Sequence, residues 1–237
     1  MRVTFLAHDG FLIELNTVCL LFDWWKEPIP PLPDKPLLVF ISHRHEDHFN
    51  PEVFTLAERK ADIQFLLGSD FHLLSRNLEK WRLTPETAAK CRRCGKHDVF
   101  QPLPAVTVET FPSTDEGVAW MVTVEDKAIF HAGDLNWWHW AEEGDAWNRN
   151  MEANFKRYTE PLRGRRADLA MLPLDPRLES GGDLGPDYFL GLMDVRRFFP
   201  MHQWDHFEFT DEFLKRYPQF APITVKIHHN LETFQLD

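Results

Sequence analysis

Apolar residues along the chain gather into short runs separated by polar breaks. Runs at 3–7, 11–15 and 18–22, interrupted at Asp9-Gly10 and Asn16-Thr17, predict three consecutive antiparallel strands joined by tight turns. Residues 24–36 contain five prolines and predict an irregular connection. The uninterrupted apolar run 37–41 then predicts a strand buried on both faces. Asn50-Pro51-Glu52 reads as a helix start, with a capping side chain, a proline at the first helical position and an acidic first turn. A further strand is expected at 63–67. Ser69-Asp70 would cap a helix carrying Phe71, Leu74, Leu78 and Trp81 on one face.

Period two returns at 106–111 and continues through strands at 118–124 and 128–131. The second half alternates helical patterns, at 151–162, from Gly185 and from Thr210, with strands at 167–172, before His202 and at 223–227. A strand-rich start followed by alternating strands and helices predicts an α/β fold. Its expected form is a four-layer αββα sandwich of two mixed sheets with helices on the outer faces. With 237 residues, 43% hydrophobic, 20 Phe and 9 Trp, the chain can bury one sizeable core, and a single domain over 1–237 is expected.

Charge narrows the partners. The formal net charge is -11 and no lysine or arginine run stands out, which argues against tracking a nucleic-acid backbone. No segment has the apolar length of a bilayer span or a secretory leader, so a cytoplasmic protein without a membrane partner is expected. A homo-oligomer stays open. Three cysteines suit a reducing compartment; Cys91-Arg92-Arg93-Cys94 with His97 has metal-like spacing but no fourth ligand, and an ordinary surface turn is the expectation there.

The chemistry concentrates after the 37–41 strand, in His43-Arg44-His45-Glu46-Asp47-His48. In an extended chain His43 and His45 point to one side and Arg44 to the other, so two imidazoles can converge on one cation. Single polar residues also follow other apolar strands: Asp23, Asp134 after Ala132-Gly133, Asp175 with Arg177, and His202 after Pro200-Met201. Asp23 could orient a ligand histidine. The cluster Trp137-Trp138-His139-Trp140 beside Asp134 could form a pocket wall, with His139 an open case.

This constellation resembles the metallo-β-lactamase-fold superfamily of metallohydrolases, whose signature is His-x-His-x-Asp-His after a strand. The compact length and the Phe-His-Ala-Gly-Asp and Phe-Pro-Met-His segments are most similar to the branch containing L-ascorbate 6-phosphate lactonase. The resemblance implies that His43 and His45 hold a first metal, that Asp47, His48 and His202 hold a second, that Asp134 bridges them and that Asp23 supports the ligands from behind. The family usually supplies one more histidine before the bridging aspartate; Ser113-Thr114-Asp115 stands there, and Asp115 is the candidate replacement. One or two divalent ions, zinc or manganese, are implied.

The expected activity is hydrolysis of an ester, lactone or phosphoester in a small molecule, phosphorylated or not, by a metal-held hydroxide. Asp47 and Asp134 are the catalytic candidates, and His139, Asp175 and Arg177 the substrate contacts. A nucleic-acid phosphodiesterase or nuclease, and a metal-binding protein that has lost catalysis, are the rival readings.

Overall fold

The computed structural model describes residues 1–236 and resolves into two compact units, Met1–Gly95 together with the chain from Asn230 on, and Lys96–His229. The first unit is built on β1 (Arg2–Phe5), β2 (Phe11–Glu14), β3 (Cys19–Phe22), β4 (Leu37–Ile41), β5 (Ile63–Leu67) and β6 (Cys91–Arg93). The C-terminal strand Thr233–Gln235 pairs antiparallel with β1. The sheet is mixed. β1, β2 and β3 run antiparallel as hairpins, whereas β3, β4, β5 and β6 run parallel. β4 lies between β3 and β5 and every residue of it is buried, which is why its sequence is apolar without alternation.

Because β1 and β2 are antiparallel and so are β2 and β3, the ends of β1, β3, β4 and β5 all reach the same edge of this sheet. His8, Asp23, His43 and Gly68 follow those four strands. Asn50 caps the short helix Pro51–Glu58, its side chain accepting from the Glu52 N–H at 3.0 Å. Phe49, Phe54, Phe65, Phe71 and Trp81 pack in this unit's core.

Two expected features differ here. The helix expected from Ser69-Asp70 begins only at Ser75, as α1 (Ser75–Lys80). Asp70 instead accepts from the Arg44 backbone N–H at 2.9 Å and from Arg44 Nε at 3.0 Å, a longer-range demand that overrides local capping. Cys91 lies on β6 rather than in a surface turn. Burial pushes its thiol up to about 12, and its Sγ donates to the Thr87 carbonyl. Thr84 caps α2 (Pro85–Ala89), its side chain accepting from the Thr87 N–H.

The second unit carries β7 (Val99–Leu103), β8 (Val106–Pro112), β9 (Val118–Val124), β10 (Lys127–His131), α3 (Asp145–Thr159), β11 (Arg166–Ala167), β12 (Leu169–Pro173), α4 (Leu184–Leu192), β13 (Asp194–Val195), β14 (Phe198–Met201) and α5 (Phe209–Arg216). β7 to β10 are antiparallel neighbours, and β10, β12 and β14 are parallel. The carboxyl ends of those three parallel strands therefore reach one edge, bringing the segments after His131, Pro173 and Met201 together. Residues 223–227 make only an isolated bridge, Phe198 to Thr224, because the edge of β14 offers them two backbone bonds and no continuous ladder.

The parallel join of β10 to β12 is pinned by Asp168, whose Oδ2 accepts from the Ala128 N–H at 3.0 Å while Oδ1 accepts from Arg166. Burial works to raise this carboxyl, but those hydrogen bonds and the arginine charges hold it below the usual carboxylate range. A lowered folded value means the stabilisation is complete above about pH 4 and is lost as pH falls through that value. Asp168→Asn is expected to cost about 1–3 kcal/mol at neutral pH, with the gap to the native protein closing below pH 4; denaturant melts across pH 3–7 measure it.

Candidate metal-ligating residues

In the first unit the edge begins with Asp23, at the end of β3 with φ 37° and no solvent exposure. Its Oδ1 accepts from the Ser42 N–H at 2.7 Å and its Oδ2 from the Ser42 hydroxyl at 2.5 Å. His48 Nδ1 lies 3.0 Å from the same Oδ2. A carboxylate here accepts the Nδ1 proton, which fixes the ring and leaves Nε2 as the basic nitrogen, the arrangement in which imidazoles bind metals. His43 is also buried; its Nδ1 lies 2.9 Å from Ser42 Oγ, and its Nε2 lies 2.9 Å from Nδ1 of the exposed His45. Arg44 points away to Asp70. The His43 and His45 rings thus converge while the residue between them is tied elsewhere.

The sequence predicts a strand through Ala7 and a tight turn at Asp9-Gly10. The structure buries it, and the donor atoms of His8, Asp9 and His48 all lie within 4.8 Å of one another. Asp47, half-buried, places Oδ2 at 3.3 Å from His8 Nε2. The signal was present in strand parity: two hairpins return β1 and β3 in the same direction, so the turn after β1 had to reach the edge that carries His43.

In the second unit Asp134 follows β10 after Gly133, whose φ of 50° suits glycine. The loop is clamped from β8 by Thr114, which donates to the Asn136 carbonyl at 2.7 Å and accepts from the Asn136 N–H at 3.0 Å. That clamp brings exposed Asp115 alongside, with a carboxylate oxygen within 4.8 Å of one on Asp134. His202 follows β14 with φ 62°; its Nε2 lies 3.4 Å from Asp134 Oδ1 and its Nδ1 2.9 Å from Asp175 Oδ2. Asp175 is fully buried and is also bound by Arg177 through Nε at 3.0 Å and Nη2 at 2.6 Å. Burial alone would raise this carboxyl, yet the bonds from His202 and Arg177 outweigh it and hold it low.

Asp175 therefore sits behind His202, where Asp23 sits behind His48, and not at a surface open to substrate. Arg177 lies over the Trp204 ring at 4.4 Å and near Trp140 at 5.7 Å, and Trp138 packs edge-on against His202 at 5.4 Å. His139 is half-buried, its backbone carbonyl closely faced by Gly181.

Both donor sets combine buried imidazole with carboxylate oxygen, the chemistry that divalent zinc or manganese takes. Residues 2–146 match the family described as Beta-lactamase superfamily domain. A metal-dependent hydrolase of Desulforamulus reducens is 28% identical over 150 residues, covering 56% of this chain and 62% of that protein. A Mycolicibacterium smegmatis protein named as a Rieske 2Fe-2S iron-sulfur protein is 34% identical over 95 residues, covering 34% of this chain and 18% of its own length. The chain thus spans less than two thirds of either relative. Among solved structures, the metallo hydrolase Igni18 of Ignicoccus hospitalis is similar in fold, with a TM-score of 0.65 at 17% identity over 100% of this chain and 99% of that one.

Proposed function

This chain belongs to the beta-lactamase superfamily, and on that premise we propose that it is a metal-dependent hydrolase of a small-molecule ester, lactone or phosphoester, in the manner of the lactonase-like branch. The observation that carries the reading is the pair of buried carboxylate–histidine couples, Asp23 with His48 and Asp175 with His202, each turning its Nε2 toward a second carboxylate, Asp9 and Asp134 respectively. Purely structural histidines have no need of a fixed tautomer on both occasions.

The assignment of donors follows the order of motifs along the chain and the family they belong to: His43, His45, Asp47 and His48, then Asp134 and His202, with Asp115 in place of the histidine the family usually supplies. One or two zinc or manganese ions are the proposed cofactors. A divalent ion held by these residues supplies Lewis acidity toward a carbonyl or phosphoryl oxygen and acidifies a water. Asp47 and Asp134 would be the carboxylates that orient the attacking water and accept a proton. Arg177, 43% exposed along its side chain although anchored to Asp175, presents a guanidinium for an anionic substrate group, with His139 beside it on the Trp138-His139-Trp140 segment. The net charge of -11 disfavours a nucleic-acid substrate. No helix among the described residues is long and apolar enough to cross a membrane.

The test is to purify the protein, count bound metal by mass spectrometry and assay a panel of lactones, esters, phosphomonoesters and phosphodiesters. Asp134→Ala is expected to lower metal content and reduce turnover by at least about 100-fold. Full activity and metal content in that variant would refute the assignment.

A further inference from the structure

A hairpin turn containing an aspartate normally faces water, because solvent offsets the charge and the unpaired backbone groups. The turn between β1 and β2 does the opposite. It is closed by the Gly10 N–H on the Ala7 carbonyl at 2.7 Å and the Leu6 N–H on the Gly10 carbonyl at 2.7 Å. Ala7, His8 and Asp9 are all buried, Asp9 with no exposure at all. His8 adopts φ 56°, left-handed for a residue with a Cβ, and Gly10 is packed so closely that a Cβ would meet the Asp23 carbonyl at 3.2 Å. The backbone is thus bent to aim His8 and Asp9 inward.

What they meet is a set of acceptors. His48 already faces Asp23 through Nδ1, and its Nε2 lies 3.2 Å from Asp9 Oδ2. In the tautomer that donates to Asp23, Nε2 turns its lone pair toward the Asp9 carboxylate, as two donors to one shared cation would face each other. The spacing suits a metal: bonds of about 2.0–2.2 Å put neighbouring donors about 3.0–3.4 Å apart. The Asp9–His48 and Asp47–His8 pairs, at 3.2 and 3.3 Å, fall in that range.

We propose that the buried β1–β2 turn is a metal-ligand element, with Asp9 Oδ2 and His8 Nε2 joining His48 Nε2 in holding one divalent cation. The inference rests on the reading of the chain as a metal-dependent hydrolase and adds two donors that the His-x-His-x-Asp-His signature does not contain.

The test uses the full chain, stripped with chelator and titrated with Mn(II), free ion being followed by electron paramagnetic resonance, alongside absorption spectra of the Co(II)-loaded protein. Asp9→Asn and His8→Gln are each expected to weaken Mn(II) binding at least 10-fold and to change the Co(II) bands, with His48→Ala as the positive control. Unchanged affinity and bands in both variants, with loss in His48→Ala, would overturn the role of the turn and leave the hydrolase reading standing. A native protein that binds no Mn(II), Zn(II) or Co(II) would overturn both. Should the variants fail to fold, anomalous scattering from native crystals soaked in Mn(II) decides: a peak bonded to Asp9 supports the proposal, and a peak bonded to His48 but not Asp9 defeats it.

Discussion

His48→Ala is expected to lower hydrolytic turnover by about 1,000-fold or more and to remove at least one equivalent of metal. The imidazole is held from one side by Asp23 at 3.0 Å and faces Asp9 at 3.2 Å from the other, with no solvent exposure. Its deletion removes a donor and leaves two buried carboxylates without the group that separated them, a change that costs several kcal/mol in buried ion pairs. A loss of roughly 4 kcal/mol in stabilising the transition state is a factor of about 1,000. Folding and catalysis are separable by thermal melts on the chelated protein. His72→Ala, at an exposed position, is the matched control and should leave metal content unaltered. Native turnover in His48→Ala would remove the basis for the assignment.

Gly68→Ala is expected to lower the melting temperature by about 5–10 °C and to perturb metal binding as well. A Cβ at Gly68 would stand 1.8 Å from the Ser42 carbonyl oxygen, a backbone atom that cannot rotate aside, while the Gly68 N–H is bonded to the Ile41 carbonyl at 2.8 Å. The end of β5 must move away from the end of β4. Forced overpacking of this kind costs about 1–3 kcal/mol or more, and each kcal/mol shifts the midpoint of a chain this long by about 2–4 °C. Ser42 is also the residue that binds Asp23 and sits against His43, so the displacement reaches the candidate ligands. Gly191→Ala supplies the contrast: it lies in α4 with nothing within 4 Å of its Cβ, so alanine should be neutral or stabilising there by up to about 1 kcal/mol. Equal melting temperatures for the two variants would contradict this.

The sequence made the strand-end chemistry legible because it is local. A buried parallel strand has to be apolar, so the change from Leu37-Leu38-Val39-Phe40-Ile41 to a histidine-rich loop marks both the element and its functional end. The same contrast locates Asp134 and His202 after β10 and β14. It does not show what stands behind a ligand. Asp175 reads as a candidate substrate contact from its place beside Arg177, yet folding buries it against His202, and that is a matter of β12 and β14 being parallel neighbours. Thr114 looks like part of a polar turn, and its clamp on the Asp134 loop exists only because β8 and β10 belong to one sheet. The helix start at Ser69-Asp70 fails for a similar reason, since Arg44 captures the intended capping carboxylate.

By itself, then, the sequence determined the two mixed sheets, the positions of the strands that lead into candidate ligands and the place of the His43–His48 loop, because each depends on residue type and spacing over a few neighbours. Only the tertiary structure decided which polar residues are removed from water. His8 and Asp9 share the composition of any exposed turn. Their burial follows from two hairpin reversals that return β1 to the direction of β3 and β4, and from a glycine that lets the turn close against Asp23. Burial is a property of the packed sheet edge, and no window of sequence around Asp9 contains the His48 that faces it.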